Sequence, residues 1–287
     1  MYKAAIKIVE VGPRDGLQNI KKFIPTNKKI ELINLLSQTG LKNIQVTSFV
    51  SPNWIPQFKD NKEVFNNIRK INNINYSVLV PNEIGLNNAL NCGSKEIEIF
   101  TSASEAFCRS NLNCDIKETF ERFIKLIPIA KQNNIRIRGT VSCCFDDPFS
   151  GHVNMFNVVY VAIQLYKLGC DEIVLADTTG TATPDRVDSL TRLIKNVIPI
   201  EKIAYHFHDT HKRAIPNIYA ALQHNVRIFD SSIGGLGGCP YAKNATGNVA
   251  TEKVVHFLKS QNYYTGINLD KLNDIVLLIN KINKNFD

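Results

Sequence analysis

No run of about 18 consecutive apolar residues occurs in this 287-residue chain, so no membrane-spanning helix is expected. No Cys-x-x-Cys pair occurs either. The seven cysteines, Cys92, Cys108, Cys114, Cys143, Cys144, Cys170 and Cys239, are odd in number and scattered. That argues against a disulfide framework or a zinc ribbon and for a reducing, cytoplasmic setting. Dense basic tracts and interleaved stacking aromatics are missing, so neither nucleic acid nor a membrane is an expected partner. The formal charge of +8 comes from dispersed lysines; it reads as compositional bias or as attraction for an anionic ligand such as a polyphosphate. Strand-like sequence starts near Ala4, which leaves no room for a cleavable leader.

What is present is a hydrophobic fraction of 44% with 21% charged residues, ordinary for a globular chain with a large core. Apolar strand-like runs cover 4–11, 43–49, 76–80, 96–100, 135–141, 172–176, 203–208 and 226–230. Helical spacing fills the intervals, at 27–39 before Gly40, near 60–70, up to Cys92-Gly93, around 117–132, and near 153–168 before Gly169. Pro184 opens the sixth helix, a seventh runs to about Gln223, an eighth from about Asn248 to Leu258, and a last amphipathic one covers about 269–283. No hairpin signal joins any two strands. Eight strand–helix pairs in this length predict an α/β fold, a (β/α)8 TIM barrel over about 4–260. A C-terminal helical extension at about 265–287 completes one domain, 1–287. The competing architecture, a doubly wound open sheet, lacks its Gly-x-Gly-x-x-Gly after the first strand.

Active sites of such barrels lie at the C-terminal ends of the strands. The polar residues that fall there are Arg14 and Asp15, Gln45 and Thr47, Asp177, and His206 and His208, with Cys239 and Asn248 in the eighth loop. The segment Ala204-Tyr205-His206-Phe207-His208-Asp209-Thr210 is the focus. Alternation along a strand points both imidazoles one way and Phe207 the other, and Asp209 or Thr210 caps the next helix. Asp15 with His206 and His208 makes a mixed oxygen and nitrogen site for one divalent cation; Mg²⁺ or Mn²⁺ suits the carboxylate, Zn²⁺ or Co²⁺ the imidazoles. No thiolate lies beside the histidine pair, which counts against zinc. Gly234-Gly235-Leu236-Gly237-Gly238-Cys239 reads as a mobile loop able to approach a ligand closely.

Several segments resemble the 3-hydroxy-3-methylglutaryl-CoA lyases. They are Val9-Glu10-Val11-Gly12-Pro13-Arg14-Asp15-Gly16-Leu17-Gln18-Asn19, Thr47-Ser48-Phe49-Val50-Ser51-Pro52 with Trp54, and His206-Phe207-His208-Asp209-Thr210. The most specific is Gly235-Leu236-Gly237-Gly238-Cys239-Pro240-Tyr241-Ala242, continued by Gly247-Asn248 and Ala250-Thr251-Glu252. The resemblance implies a metal-dependent homodimeric barrel that splits 3-hydroxy-3-methylglutaryl-CoA into acetyl-CoA and acetoacetate, a reaction of leucine degradation and ketone-body formation. It implies Asp15, His206, His208 and Asn248 as ligands of Mg²⁺ or Mn²⁺. Arg14 is then placed at the enolate oxygen and Cys239 in proton transfer. Gln18, Lys21, Gln45 and Asp177 fall among the substrate contacts, with Lys21 near the coenzyme's phosphates. Asp15 and His206 are both candidates for the base.

Three departures from the family pattern stand out. Gln45 replaces a glutamate, His211-Lys212-Arg213 replaces Tyr-Gly-Gln, and Lys243-Asn244 and Lys253 replace a small pair and an acidic residue. If a missing carboxylate at 45 limits the rate, Gln45→Glu should raise turnover. The other functional classes are an acetyl-CoA-dependent synthase of the same superfamily, a lyase for another acyl-CoA, and a non-catalytic acyl-CoA binder.

Overall fold

The computed structural model describes residues 2–237 and 247–283, with side chains to residue 279. Eight parallel strands close into a barrel: β1 (Lys7–Glu10), β2 (Asn43–Ser48), β3 (Asn75–Leu79), β4 (Glu96–Ser102), β5 (Arg136–Ser142), β8 (Glu172–Asp177), β9 (Ile203–Phe207) and β10 (Ile228–Ser231). Neighbours in sequence are neighbours in the barrel, and β10 returns to β1 with Lys7 beside Ile228 and Glu10 beside Ser231. The (β/α)8 architecture read from the sequence is the one observed. Two additions escaped that reading. A two-residue ribbon, β6 (Asp146–Asp147) with β7 (Gly151–His152), follows β5, and helix α4 (Glu105–Leu112) follows β4.

The remaining helices ring the barrel: α1 (Thr26–Leu36), α2 (Asn61–Asn67), α3 (Glu83–Asn91), α5 (Ile116–Gln132), α6 (Met155–Leu168), α7 (Pro184–Ile194), α8 (Ala214–Gln223) and α9 (Thr251–Ser260). Helix α10 (Leu269–Asn283) lies against α1 and α9. Local chemistry sets their ends. Asp115 and Glu118 form a reciprocal capping box at the start of α5, Pro184 takes the first turn of α7, and Gly169 closes α6 in the left-handed region. Two boundaries differ from expectation. Arg213, not Asp209 or Thr210, holds the N-cap position of α8, although Asp209 Oδ1 still accepts the Ala214 N–H at 3.2 Å. Helix α9 begins at Thr251, because Asn248 is drawn into an antiparallel bridge with His208. No helix among the described residues is long and apolar enough to cross a membrane.

The main apolar core lies between the strands and the helical ring. Inside the barrel a small apolar cluster of Val9, Val11, Val174, Ala204 and Ile228 fills one side. The rest of the interior is polar, with a buried ionic network at its centre. Arg138, fully buried, donates to Glu172 Oε1 at 2.7 Å, to Glu98 Oε2 at 3.0 Å and to Asp230 Oδ1 at 2.7 Å. Lys7 closes the lower end with 2.7 Å to Glu172. Each buried ion therefore has a partner, the condition under which buried charge is tolerated.

Candidate metal centre and active site

The site is built where β1 and β9 leave the barrel. After β1 the chain coils into a π-helical turn, Gly12–Gly16, in which the N–H groups of Arg14, Asp15 and Gly16 all approach the Val11 carbonyl, at 3.0, 2.7 and 3.3 Å. That coil carries Arg14 and Asp15 over the mouth. On β9 the alternation is as expected. Tyr205 and Phe207 face the helices and stack at 5.0 Å with their planes 6° apart, and the Tyr205 hydroxyl meets Thr191 of α7 at 2.7 Å. His206 and His208 turn to the opposite, inner face.

Asp15, His206 and His208 each offer a ligand atom, and these atoms lie within 4.8 Å of one another. Asp15 Oδ2 is 4.0 Å from His206 Nε2. Asn248 closes the group from the eighth loop, donating Nδ2 to Asp15 Oδ2 at 2.7 Å and to the Leu236 carbonyl at 3.0 Å. Two buried polar atoms here lack a hydrogen-bond partner among the described residues, His208 Nδ1 and Asn248 Oδ1. An orphaned amide oxygen, Asn248 Oδ1, and two imidazoles beside an ionised carboxylate fit a divalent cation, whose remaining positions water or substrate would fill.

The electrostatics are consistent with that use. Burial opposes charge on Asp15, but Arg14 at 2.5 Å, the two imidazoles and the Asn248 amide outweigh it and hold its pKa far below the usual range. Burial also opposes a charged His206, yet its hydrogen bond to Asp230 at 3.3 Å and the nearby Asp15 raise its pKa. His208, buried and next to His206, is lowered to about 4 and stays neutral, the form that binds metal. Asp230 fixes His206 through Nδ1 while its other oxygen is held by Arg138, so the Nε2 side is left facing Asp15.

The other residues singled out from the sequence separate into groups. Gln45 is fully buried beneath Arg14 and accepts from its Nε. Gln18 is half-buried and Lys21 exposed on the segment after the coil, outside the three-residue metal group. Asp177 does not join the centre. It pairs in register with the outward-facing Phe207, and its carboxylate accepts the N–H groups of Thr181 and Ala182, each at 3.1 Å. The carboxylate holds the loop that follows β8. Cys239, Lys243 and Asn244 lie outside the described residues. Lys253, another of the departures, sits 3.8 Å from Asp209. The sequence reading missed Glu98, Arg138, Glu172 and Asp230, the buried ions beneath the site. Their signal was charge at alternate positions of strands that have no solvent face.

Comparison with known proteins settles the family. The HMGL-like family model matches residues 5–279. The chain belongs to the hydroxymethylglutaryl-CoA lyase family. It is 48% identical to the mitochondrial hydroxymethylglutaryl-CoA lyase of Rattus norvegicus over 267 residues, 93% of this chain and 82% of that protein. Among solved structures, the HMG-CoA lyase of Brucella melitensis superposes with a TM-score of 0.95 at 44% identity, covering 97% of this chain and 99% of that one. An HMG-CoA lyase from Acinetobacter baumannii, solved with coenzyme A and 3-methylmalate, gives a TM-score of 0.91 at 36% identity over 95% of this chain and 89% of that one.

Proposed function

We propose that this chain, acting as one domain over residues 1–287, cleaves 3-hydroxy-3-methylglutaryl-CoA to acetyl-CoA and acetoacetate. The observation that carries the reading is the convergence of Asp15, His206 and His208 at the C-terminal rim, with the Arg14 guanidinium 2.5 Å from Asp15. Family membership supplies the substrate class, a CoA thioester, and the Acinetobacter structure was solved with coenzyme A.

The reaction is a retro-Claisen cleavage. The tertiary hydroxyl loses its proton, its oxygen becomes the ketone of acetoacetate, and the carbon–carbon bond breaks. The bonding pair passes to the thioester enolate, which takes up a proton at carbon to give acetyl-CoA. Asp15, His206, His208 and Asn248 would hold a divalent cation, in our reading Mg²⁺ or Mn²⁺, which when bound would supply acidity to the hydroxyl. The hydroxyl proton leaves beside the Asp15–His206 pair, whose Oδ2 and Nε2 are 4.0 Å apart. Arg14 stabilises the enolate oxygen with charge fixed in advance, an interaction that grows only as the bond breaks. Gln18 and Lys21 lie on the approach to the mouth, Lys21 meeting the coenzyme's phosphates. Cys239 delivers the proton to the enolate.

The six described cysteines are free and buried, which supports a reducing cytoplasm as its setting, and the family resemblance supports a homodimer. The deciding experiment measures acetyl-CoA release from 3-hydroxy-3-methylglutaryl-CoA with Mg²⁺, with Mn²⁺ and with a chelator. Metal-dependent release is expected. Free thiol produced from acetyl-CoA and a keto acid would instead mark a synthase, and binding without turnover a non-catalytic acyl-CoA protein.

A further inference from the structure

Beneath the mouth, the Gln45 side chain is gripped at both ends. Arg14 donates its Nε–H to Gln45 Oε1, and Gln45 Nε2 donates to Glu98 Oε2 at 2.7 Å. The orientation is forced. A guanidinium has no acceptor, so the amide oxygen must face Arg14, and the amide nitrogen is left to find an acceptor on the other side. Only a carboxylate or another acceptor satisfies it there, and Glu98 on β4 provides one.

Glu98 is itself held on every side. Its Oε1 accepts from the Thr140 hydroxyl at 2.9 Å and lies 3.7 Å from Arg14 Nη2, while its Oε2 also accepts from Arg138 Nη1 at 3.0 Å. Gln45, Glu98 and Arg138 are all essentially without solvent exposure. The carboxylate is therefore a fixed negative charge between two guanidiniums, one structural and one at the mouth.

We propose that Glu98 is a positioning residue for the cleavage reaction: acting through Gln45, it fixes the place and plane of the Arg14 guanidinium. The proposal rests on the reading above that Arg14 meets the enolate. Glu98 touches no reacting atom. Its effect comes from holding a charge whose value depends on exact placement, since misplacement of about 1 Å can cost on the order of a hundredfold in rate. The same geometry reverses the expectation for Gln45→Glu. A carboxylate at 45 would face the Glu98 carboxylate across the present 2.7 Å hydrogen bond. Two such groups cannot both stay ionised in contact, so one takes a proton or the pair separates, and Arg14 loses its seat.

Steady-state kinetics with 3-hydroxy-3-methylglutaryl-CoA at saturating Mg²⁺ test this, with the folded fraction of each variant taken from thermal unfolding. Glu98→Gln and Gln45→Glu should each lower kcat about tenfold or more while KM stays within about threefold. The double variant, which restores one negative charge to the pair, should turn over faster than Gln45→Glu alone. Glu98→Asp should recover part of the loss. Single variants with wild-type kcat would overturn the proposal, as would a double variant no faster than Gln45→Glu or losses that merely track the folded fraction. A wild-type chain without turnover would overturn the functional reading and the proposal with it. Wild-type turnover with unaffected variants overturns the proposal alone.

Discussion

Asn248 reaches across the mouth of the barrel to donate its side-chain amide to Asp15 Oδ2 at 2.7 Å, tying the exit of the last strand to the exit of the first. Its own Oδ1 is buried without a partner among the described residues. In the proposed centre this one side chain would orient Asp15 with its nitrogen and offer its oxygen to the cation. Asn248→Ala removes both functions while keeping the fold, because the backbone bridge to His208 does not need the side chain. Mn²⁺ affinity, measured by calorimetric titration, should fall by about 10–100-fold, the range typical of losing a group that orients metal ligands. Unchanged affinity would remove Asn248 from the centre.

Arg138 is the second relationship with a measurable consequence. It donates to Glu98, Glu172 and Asp230 at once, and all three carboxylates are buried. Removing one side of a buried ion group costs about 3–5 kcal/mol, because the charges left behind are uncompensated. Arg138→Met should therefore lower the unfolding free energy by about that amount in a urea titration, with the denaturant slope unchanged. A loss below about 1 kcal/mol would mean that the carboxylates take up protons cheaply and that the network is not held by charge.

The barrel was legible because its strands are short apolar runs at regular spacing, and the spacing alone requires crossover helices. The β6–β7 ribbon was not, since two residues per strand carry no periodic signal. Of the site, the His-x-His pair and Asp15 could be placed from strand parity and from the position of the first turn. The supporting ions could not. Glu96-Ile97-Glu98-Ile99 and Ile135-Arg136-Ile137-Arg138 look like half-solvated strands, apolar on one face and charged on the other. In a closed parallel barrel the charged face is the inside, and which charge meets which is fixed by stagger between strands far apart in sequence, not by either strand alone. The hold of Asp177 on the turn that follows it was not legible either, because a strand-end aspartate is as well suited to holding that turn as to facing the mouth.

Gly247 carries a backbone constraint that bears on the centre. Its φ is +99°, and a β-carbon there would overlap the carbonyl oxygens of Gly235 and Gly237. Its own carbonyl accepts the Asp209 N–H at 3.0 Å, which sets the neighbouring Asn248 beside His208. Gly247→Ala must therefore shift the segment that carries Asn248, at a strain cost of about 1–3 kcal/mol. The expected result is loss of most lyase activity and of Mn²⁺ affinity, with a barrel that still melts cooperatively. Full activity in the alanine variant would show that this close approach is dispensable.

Glu10 gives a pH dependence whose sign can be worked out. It is completely buried at the end of β1, and its carboxylate accepts the N–H groups of Gly12 and Ile233, each at 2.8 Å, and the Thr251 hydroxyl at 2.6 Å. Burial nevertheless dominates these hydrogen bonds and pushes its pKa from 4.5 up to about 7. Between those values the unfolded chain has released the proton and the folded chain still holds it. Stability from this group is thus full below about pH 4.5 and is lost as pH rises through about 7. A shift of this size corresponds to about 3 kcal/mol. Asp177, also pushed up to about 7 by burial, adds a decline of the same sign to any variant and cancels in a comparison. Glu10→Gln keeps an oxygen for Gly12 and Ile233 and offers an N–H to Thr251, whose hydroxyl can turn to Ser231 at 2.8 Å. Urea unfolding at pH 5, 6, 7 and 8 should therefore show the glutamine variant gaining on the wild type as pH rises, most steeply between the two pKa values and levelling off above about 7. Parallel stability curves would mean that the carboxylate ionises inside the fold without cost, and that its three donors, not its burial, set its pKa.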